Sequence, residues 1–218
     1  MTGGYVLYGG PGTGAVAVEA ALRIAGEPYE LLDVYDNPDA LERYTAINPM
    51  RQAPALTFPD GETLTESAAI LLRVAELHPA SRLAPEIDAP TRGAFLRWMS
   101  FVSSAIYAHY WLKDDPSRLV PDKDLHQVVN ERLEQRLLTC WGIMEKGVAV
   151  LGARPYILGQ DLTVLDLYVT VVSRFRPRRQ RFYAAAPRLG ESVRLVDADP
   201  RLASLWAERY PFAGVWDR

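Results

Sequence analysis

The order of segments in the first 80 residues constrains the fold more than any other feature of this sequence. Short apolar runs predict strands, and runs with apolar residues three or four positions apart predict helices. Seven segments follow one another as strand, helix, strand, helix, strand, strand and helix, at residues 5–9, 15–26, 29–35, 37–47, 53–59, 61–65 and 66–78. This β-α-β-α-β-β-α order predicts a small mixed sheet packed against helices.

The character of the chain changes after residue 78. The stretch HPASRLAPEIDAP, residues 78–90, is rich in proline and alanine, and only helical patterns follow from Thr91 onward. A shift of composition of this kind marks a domain boundary. We therefore predict an α/β domain over 1–80, a linker over 81–90 and an all-helical domain over 91–218.

Composition bounds the class of protein. The 218 residues are 49% hydrophobic and carry a formal net charge of −3, which fits a globular protein and does not indicate nucleic acid as a partner. The one cysteine, Cys140, lies among apolar residues, so we expect a buried thiol in a reducing compartment. The three histidines and this cysteine lack ligand spacing, so no metal is expected. Without a leader pattern or an apolar run of roughly 18 residues, we expect a cytoplasmic protein and no membrane partner.

The densest basic run is RFRPRRQRF, residues 174–182, in which arginines are interleaved with aromatic residues. Its ordinary interpretation is a solvated helix end followed by a loop. The alternative is a surface for anionic ligands or for a partner chain. The sequence leaves both interpretations open.

The glycine-rich stretch GGPGTG, residues 9–14, links the first strand to the first helix, a place where many proteins bind phosphate. Gly9 and Gly14 have the spacing of a P-loop. The next two positions carry Ala15 and Val16, whereas phosphate and magnesium binding needs Lys and Ser or Thr there. The P-loop hypothesis fails because the loop has no cation.

The same stretch fits a dinucleotide-binding fingerprint better. Gly10, Gly12 and Ala15 satisfy the pattern G-x-G-x-x-G/A, and Asp33 lies near the end of the next strand, where a ribose-binding acid is expected. A doubly wound sheet, however, needs further parallel strands. The alternation ends by residue 80 and its last two strands form a hairpin, so this hypothesis is strongly disfavoured.

Residues 48–70, NPMRQAPALTFPDGETLTESAAI, resemble the glutathione-binding half of the cytosolic glutathione S-transferase family. In that family a small or aliphatic residue precedes a cis-proline and a strand, here Ala53-Pro54. An acidic residue and a serine then begin a helix, here Glu66-Ser67. The segment order and the helical remainder agree, so the resemblance extends over the whole chain. It implies a thioredoxin-like N-terminal domain followed by an all-helical C-terminal domain.

The resemblance also implies how glutathione, the co-substrate, is held. A cis peptide before Pro54 turns the N–H and C=O of Ala53 outward, where they pair with the cysteinyl backbone of the tripeptide as in strand addition. Ser67 is expected to hold the γ-glutamyl carboxylate, because free N–H groups and the helix dipole favour an anion at a helix start. Glu66 and Gln52 suit the amino end of the ligand.

A second stretch, GQDLTVLDLYV at 159–169, resembles the folding signature of the family at the start of a buried helix. Thr163 as the N-cap and Asp166 three residues later form a capping-box-like pair. Leu162 and Leu167 occupy the places of a hydrophobic staple. We expect this stretch to serve folding and not catalysis.

The family stabilises the glutathione thiolate at the loop before the first helix. Here the position that carries cysteine in the bacterial beta class is Gly14, and the serine positions of other classes fall on Gly12 or Thr13. Tyr8 falls where tyrosine-type classes place their phenol. We expect Thr13 to stabilise the thiolate, with Tyr8 as the alternative. The remaining alternatives are that backbone N–H groups of Thr13 and Gly14 do so, or that the thiol is not activated.

The family pattern places the second substrate between this loop and the first long helix of the C-terminal domain, which reads FLRWMSFVSSAIYAHYWL over 95–112. A histidine often stands at the place of Tyr107 in beta-like bacterial sequences, so Tyr107 is the first candidate for the electrophile site. Tyr110 and Trp111 are the further candidates.

The resemblance therefore implies a homodimeric glutathione S-transferase that detoxifies a small electrophile and needs no metal. Two alternatives stay open. One is a glutathione-dependent disulfide reductase, dehalogenase or isomerase on the same fold, and the other is a non-catalytic glutathione-binding protein.

Overall fold

The computed structural model describes residues 3–152 and 155–211. Its N-terminal part follows the predicted order of elements, although three of the four strands are two to four residues shorter than predicted. The elements are β1 (Tyr5–Gly9), α1 (Ala15–Ala25), β2 (Tyr29–Asp33), α2 (Pro38–Ile47), β3 (Ala55–Thr57), β4 (Thr63–Thr65) and α3 (Ser67–Leu77).

The four strands form one mixed sheet in the order β2-β1-β3-β4. β1 pairs with β2 in parallel, with Tyr5 opposite Tyr29, whereas β1 with β3 and β3 with β4 are antiparallel. The carboxylate of Asp33 accepts hydrogen bonds from the backbone amides of Tyr35 and Asp36 at 2.9 and 3.3 Å, so it closes a turn after β2. One parallel pair is the arrangement of a thioredoxin-like sheet and not of a dinucleotide-binding domain.

The two faces of the sheet pack against different helices because side chains alternate along a strand. Leu7 and Leu56 face α1 and α3 and belong to the main hydrophobic core. Tyr8 and Ala55 face the other way, toward α2, where the ring of Tyr8 stacks on that of Tyr44 with centroids 6.1 Å apart. This alternation decides on which side of the sheet each residue of β1 can act.

The C-terminal part is helical, as predicted. Its elements are α4 (Arg92–Phe101), α5 (Tyr110–Asp114), α6 (His126–Ala149), α7 (Val164–Val172), α8 (Arg179–Ala185), α9 (Pro187–Asp197) and α10 (Ala203–Arg209). The expected single helix over 95–112 is wrong in one respect. α4 ends at Phe101, and a π-helical turn over Val102–Ile106 and a 3₁₀ turn over Tyr107–His109 precede α5. The change of winding rotates the residues that follow about the helix axis.

The core runs without interruption from the sheet into the helical part. Every residue of α1 from Ala15 to Leu22 is buried, because this helix lies between the sheet and α7. The carboxylate of Glu19, which is fully buried, accepts hydrogen bonds from Arg209 at 2.8 Å and from the Tyr29 hydroxyl at 2.8 Å. This ion pair joins α1 to the end of α10, so the two parts form a shared interior.

The predicted capping box at the start of α7 is confirmed. The Asp166 carboxylate accepts hydrogen bonds from the backbone N–H of Thr163 at 2.9 Å and from that of Ile157 at 2.9 Å. Cys140 is buried, as expected, and burial raises the pKa of its thiol. Within residues 3–152 and 155–211, no helix has both the length and the hydrophobicity that crossing a bilayer requires.

Candidate functional site

A cavity of about 820 Å³ lies between the N-terminal and helical parts, and we call it the interdomain cavity. Nine of the residues predicted for the site line it: Thr13, Gln52, Ala53, Pro54, Glu66, Ser67, Tyr107, Tyr110 and Trp111. Two predicted residues, Tyr8 and Gly14, do not. The cavity is thus bounded on one side by the loop before α1, the segment before β3 and the start of α3, and on the other by α5 and its preceding turns.

The corner before β3 contains a cis peptide bond between Ala53 and Pro54, as the sequence predicted. Asn48 holds this segment in place, because its side-chain amide donates to the carbonyl of Gln52 at 2.9 Å and its side-chain oxygen accepts from the amide of Met50 at 3.2 Å. Asn48 is nearly buried. Asn48 is the first residue of the motif at 48–70, but the sequence did not indicate this role for it.

The start of α3 carries a hydrogen bond that reaches across to the helical part. The hydroxyls of Ser67 and Tyr168 lie 2.6 Å apart, and both residues are buried. Burial raises the pKa of Tyr168 to about 12, so its phenol stays protonated. When Tyr168 is the donor, the proton of Ser67 is available to an anion in the cavity. Glu66 precedes the helix with a φ of 67°, a backbone conformation that clusters at functional sites.

Tyr107 connects the loop before α1 to the cis-proline corner before β3. Its hydroxyl oxygen accepts a hydrogen bond from the backbone amide of Gly14 at 2.9 Å, and its proton points to the carbonyl oxygen of Ala53 at 3.4 Å. Burial raises the pKa of Tyr107 far above its ordinary value, so the phenol is neutral and retains a proton to donate. The π-helical turn just before it is a feature often found at functional sites.

Only glycine fits at position 14, because the phenol of Tyr107 occupies the space that a Cβ would need. A Cβ on Gly14 would lie 2.5 Å from the hydroxyl oxygen of Tyr107 and 2.8 Å from a carbon of its ring. The backbone there is ordinary, with φ −63° and ψ −16°. Position 14 therefore has no side chain because the phenol of Tyr107 occupies its space.

The hydroxyl of Thr13 is engaged within the loop. It donates to the carbonyl of Gly10 at 2.7 Å and accepts from the amide of Ala15 at 3.2 Å, so it stabilises the first turn of α1. Its single proton is used by the Gly10 carbonyl. Thr13 lines the cavity, as expected, but a thiolate would receive a hydrogen bond from it only after this contact opened.

The alternative phenol, Tyr8, lies on the wrong face of the sheet for the site. It packs with Tyr44, Val34 and Ala40 under α2 and is absent from the lining of the cavity. The neighbouring residue of β1, Leu7, takes the side of α1. Because side chains alternate along β1, Tyr8 lies on the α2 side of the sheet. This position conflicts with the expectation that its phenol approaches the thiol.

The helical wall of the cavity combines aromatic and basic side chains. Tyr110 and Trp111 line it, as predicted, together with Arg118, Arg176 and Arg178. The guanidinium of Arg118 lies 5.3 Å from the centre of the Trp111 ring. Sequence reasoning did not assign the three arginines to the site, although the basic run at 174–182 was a signal for two of them.

The thioredoxin-like sheet, its cis-proline corner and the facing helical part define a two-domain protein of the glutathione transferase architecture. The sequence profile described as glutathione S-transferase, N-terminal domain, matches residues 15–77. The chain is 30% identical over 199 residues to YncG of Escherichia coli K12, named as an uncharacterized glutathione S-transferase-like protein, and the match covers 90% of this chain and 94% of that protein. The chain belongs to the glutathione S-transferase family.

Solved structures agree with this assignment. A glutathione transferase homologue from Sulfitobacter, with bound glutathione, is 27% identical with a TM-score of 0.80, over 95% of this chain and 99% of that one. The bacterial glutathione transferase BphK, in a ternary complex, is 26% identical with a TM-score of 0.75, over 94% of this chain and 98% of that one. Across the described residues, no group of three or more His, Cys, Asp or Glu side chains is arranged to hold a metal ion.

Proposed function

We propose that this protein is a glutathione S-transferase that activates the glutathione thiol for attack on a small electrophile. The hydroxyl of Tyr107 carries the proposal, because it lies between the amide of Gly14 and the carbonyl of Ala53. These are the elements that family resemblance assigns to the thiol and to the cysteinyl backbone of glutathione. A phenol proton is therefore available beside the sulfur position.

Glutathione lies along the N-terminal wall of the interdomain cavity in this proposal. The carbonyl of Ala53 accepts the cysteinyl N–H. Ser67 donates to the γ-glutamyl carboxylate while Tyr168 donates to Ser67, an arrangement that the 2.6 Å contact permits. Glu66 and Gln52 line the cavity and suit the ammonium group of the ligand. The N-terminus of α3 adds a favourable dipole for the carboxylate.

Activation of the thiol is assigned to Tyr107. A thiol with a pKa of about 8.5 is only a few per cent ionised at pH 7, and a decrease of two units requires about 2.7 kcal/mol of preferential thiolate stabilisation. A hydrogen bond to a charged group contributes about 1.5–3 kcal/mol. When the cysteinyl N–H binds Ala53, the phenol loses its weak 3.4 Å acceptor and donates to the sulfur. The amide of Gly14 strengthens this donor by polarising the phenol oxygen.

Thr13 takes a positioning role in this proposal. Its hydroxyl bonds to Gly10 and Ala15 fix the loop that presents the Gly14 amide. Direct donation from Thr13 to the sulfur remains the alternative, and it requires the Gly10 contact to open.

The transfer step follows from the activated sulfur. The thiol proton leaves to solvent when glutathione binds. The thiolate then forms a carbon–sulfur bond with the electrophilic carbon, and the leaving group departs with its bonding electron pair. Tyr110 and Trp111 provide the aromatic wall on which the electrophile packs.

A non-catalytic glutathione-binding protein is the second candidate, and the absence of cysteine and serine from residues 9–14 favours it. Dehalogenation and isomerisation use the same thiolate and stay within the first proposal. Disulfide reduction through a cysteine of the protein is not favoured, because the chain has one cysteine and Cys140 is buried.

We also propose a two-fold homodimer, with the α/β domain of one chain against the helical domain of the other, and a cytoplasmic detoxifying role. Domain boundaries at 1–80, 81–90 and 91–218 belong to the same proposal. Light scattering at micromolar protein concentration tests the dimer, and a monomer under those conditions would contradict it.

The proposed activity is tested by glutathione binding and by turnover together. Calorimetry measures the affinity for glutathione, and a panel of halonitroaromatics, epoxides, peroxides and small disulfides measures transfer. Binding with an ionised thiol and turnover of at least one electrophile is the expected result. Binding without a thiolate absorbance band and without turnover would favour the binding protein.

A further inference from the structure

The helical wall of the interdomain cavity is strongly basic. Four arginines and two carboxylates line the cavity, although the chain carries a net charge of −3. Arg51 lies on the N-terminal side. Arg118, Arg176 and Arg178 lie on the helical side, where Asp114 is the one carboxylate among the described lining residues. An excess of positive charge in a partly enclosed cavity attracts anions.

The turn between α7 and α8 presents two of these arginines. Arg178 has φ 80° and ψ 168°, a conformation that residues other than glycine rarely adopt and that persists only where the surroundings hold it. Arg176 is exposed, and within residues 3–152 and 155–211 it forms no ion pair. Burial, and then the positive charge of Arg176, lower the pKa of Arg178. The Arg178 guanidinium also donates to the Arg174 carbonyl at 3.2 Å, and the negative charge of a bound anion would oppose both effects on its pKa.

A buried hydroxyl lies on the same wall. Tyr110 lines the cavity and is 6% exposed, and its hydroxyl has no hydrogen-bond partner among the described residues. Burial raises the pKa of Tyr110 far above its ordinary value, so the group is a donor. A buried donor without an acceptor is costly. Because this hydroxyl is closed to solvent, an acceptor on a ligand reaches it only when neighbouring side chains of the wall move.

We propose that the second substrate carries an anionic group, a carboxylate or an equivalent oxyanion, which binds Arg176, Arg178 and the hydroxyl of Tyr110. The inference rests on the proposed function, because it concerns the electrophile of that reaction. Arg51 and the N-terminus of α3 lie on the opposite wall, where in this proposal they bind the carboxylates of glutathione. Arg118 is engaged by the Trp111 carbonyl and the Asp115 carboxylate, so it contributes charge at a distance.

The test compares two electrophiles that differ by one charge, a chlorodinitrobenzoate and its methyl ester, each with glutathione. The measured quantity is the ratio of kcat/KM for the acid to that for the ester, each divided by its uncatalysed rate constant so that intrinsic reactivity cancels. The ratio is expected to exceed one. It falls about fivefold in Arg176→Gln and roughly thirtyfold when Arg178→Gln is added.

Arg181→Gln is the matched control. It removes one charge from the same basic run, but Arg181 pairs with Glu134 at 2.6 Å and is not among the residues that line the cavity. The ratio is expected to stay at the wild-type value in this variant.

A binding measurement separates this inference from the proposed activity. Calorimetry with the glutathione conjugates of the acid and of the ester needs no turnover. A preference for the acid conjugate that decreases in Arg176→Gln supports the anion site, whether or not any electrophile is turned over. If no electrophile is turned over, only the proposed activity fails. Equal preference in all variants would overturn the inference. So would an Arg176→Gln variant that loses affinity for glutathione itself, because the arginines would then serve glutathione.

Discussion

The hydroxyl of Tyr107 accepts a 2.9 Å hydrogen bond from the backbone amide of Gly14, which lies 93 residues earlier in the chain. One contact therefore fixes the start of α1 against the helical part. It also accounts for the glycine at position 14, since the phenol fills the space of a side chain.

The first prediction is that Gly14 and Tyr107 are energetically coupled. The backbone at position 14, with φ −63° and ψ −16°, accommodates alanine without strain, although glycine is the better residue at the N-cap of a helix. Here Gly14→Ala is expected to cost about 1–3 kcal/mol because its Cβ overlaps the phenol. Urea denaturation measures the cost, which should fall to the small N-cap preference for glycine in a Tyr107→Ala background. A Gly14→Ala variant as stable as the wild type would contradict the close contact.

The second prediction concerns the carboxylate end of glutathione. Ser67→Ala should weaken glutathione binding by about 1–2 kcal/mol, measured by calorimetry, because it removes the hydroxyl at the start of α3. Tyr168→Phe is the matched control, since it leaves Ser67 in place and removes only its partner. A smaller loss is expected there. Unchanged affinity in Ser67→Ala would remove this residue from the site.

Much of the fold is predictable from sequence because its signals are local. The alternation of segments, the stop of α1 at Gly26 with φ 77° and the capping box at Thr163 each depend on residues a few positions apart. The motif around Pro54 and Ser67 adds a short spacing that resemblance recognises. These features predict the fold and the N-terminal wall of the interdomain cavity.

The rest of the site depends on contacts between distant residues. Tyr107 and Gly14 are 93 positions apart and Ser67 and Tyr168 are 101, and the motifs around these residues do not indicate that they pair. The sequence also does not show whether the hydroxyl of Thr13 or of Tyr8 can reach the cavity. The side of β1 on which a residue lies and the acceptor of a hydroxyl proton are both set by packing. A basic run such as 174–182 indicates charge without indicating which cavity it lines.

The third prediction is a pH dependence of stability at the start of α7. Burial raises the pKa of Asp166 to about 6, above its value of about 3.9 in the unfolded chain. The folded state then binds the proton more tightly, so this group's stabilising contribution is full below about pH 4 and is lost as the pH rises through about 6. The free energy of unfolding should fall by up to about 3 kcal/mol over this interval.

Urea denaturation at several pH values checks this third prediction. Asp166→Asn is the reference, because it cannot ionise and keeps every other titrating group. The wild type should lose stability relative to this variant between pH 4 and 6. A gain over the same interval would mean that the hydrogen bonds from Ile157 and Thr163 outweigh burial.

The fourth prediction separates the candidate thiolate donors by mutation. Tyr107→Phe should lower turnover at pH 7 about ten- to hundredfold, the scale of one lost charge-assisted hydrogen bond. Thr13→Ala should instead cost about 1 kcal/mol of stability, because it removes the hydroxyl that bonds to the Gly10 carbonyl and the Ala15 amide at the start of α1. Tyr8→Phe is the matched control for the loss of a phenol, since Tyr8 packs under α2.

The most direct test of the Tyr107 assignment is the pKa of the glutathione thiol bound to the protein, measured by ultraviolet thiolate absorbance across a pH titration. In the wild type the bound pKa should lie below the value of about 8.5 for a free thiol. Tyr107→Phe should raise it by about one to two units, whereas Thr13→Ala and Tyr8→Phe should leave it near the wild-type value. An unchanged thiol pKa in Tyr107→Phe together with a raised thiol pKa in Thr13→Ala would contradict this account. It would identify Thr13 as the donor that stabilises the thiolate.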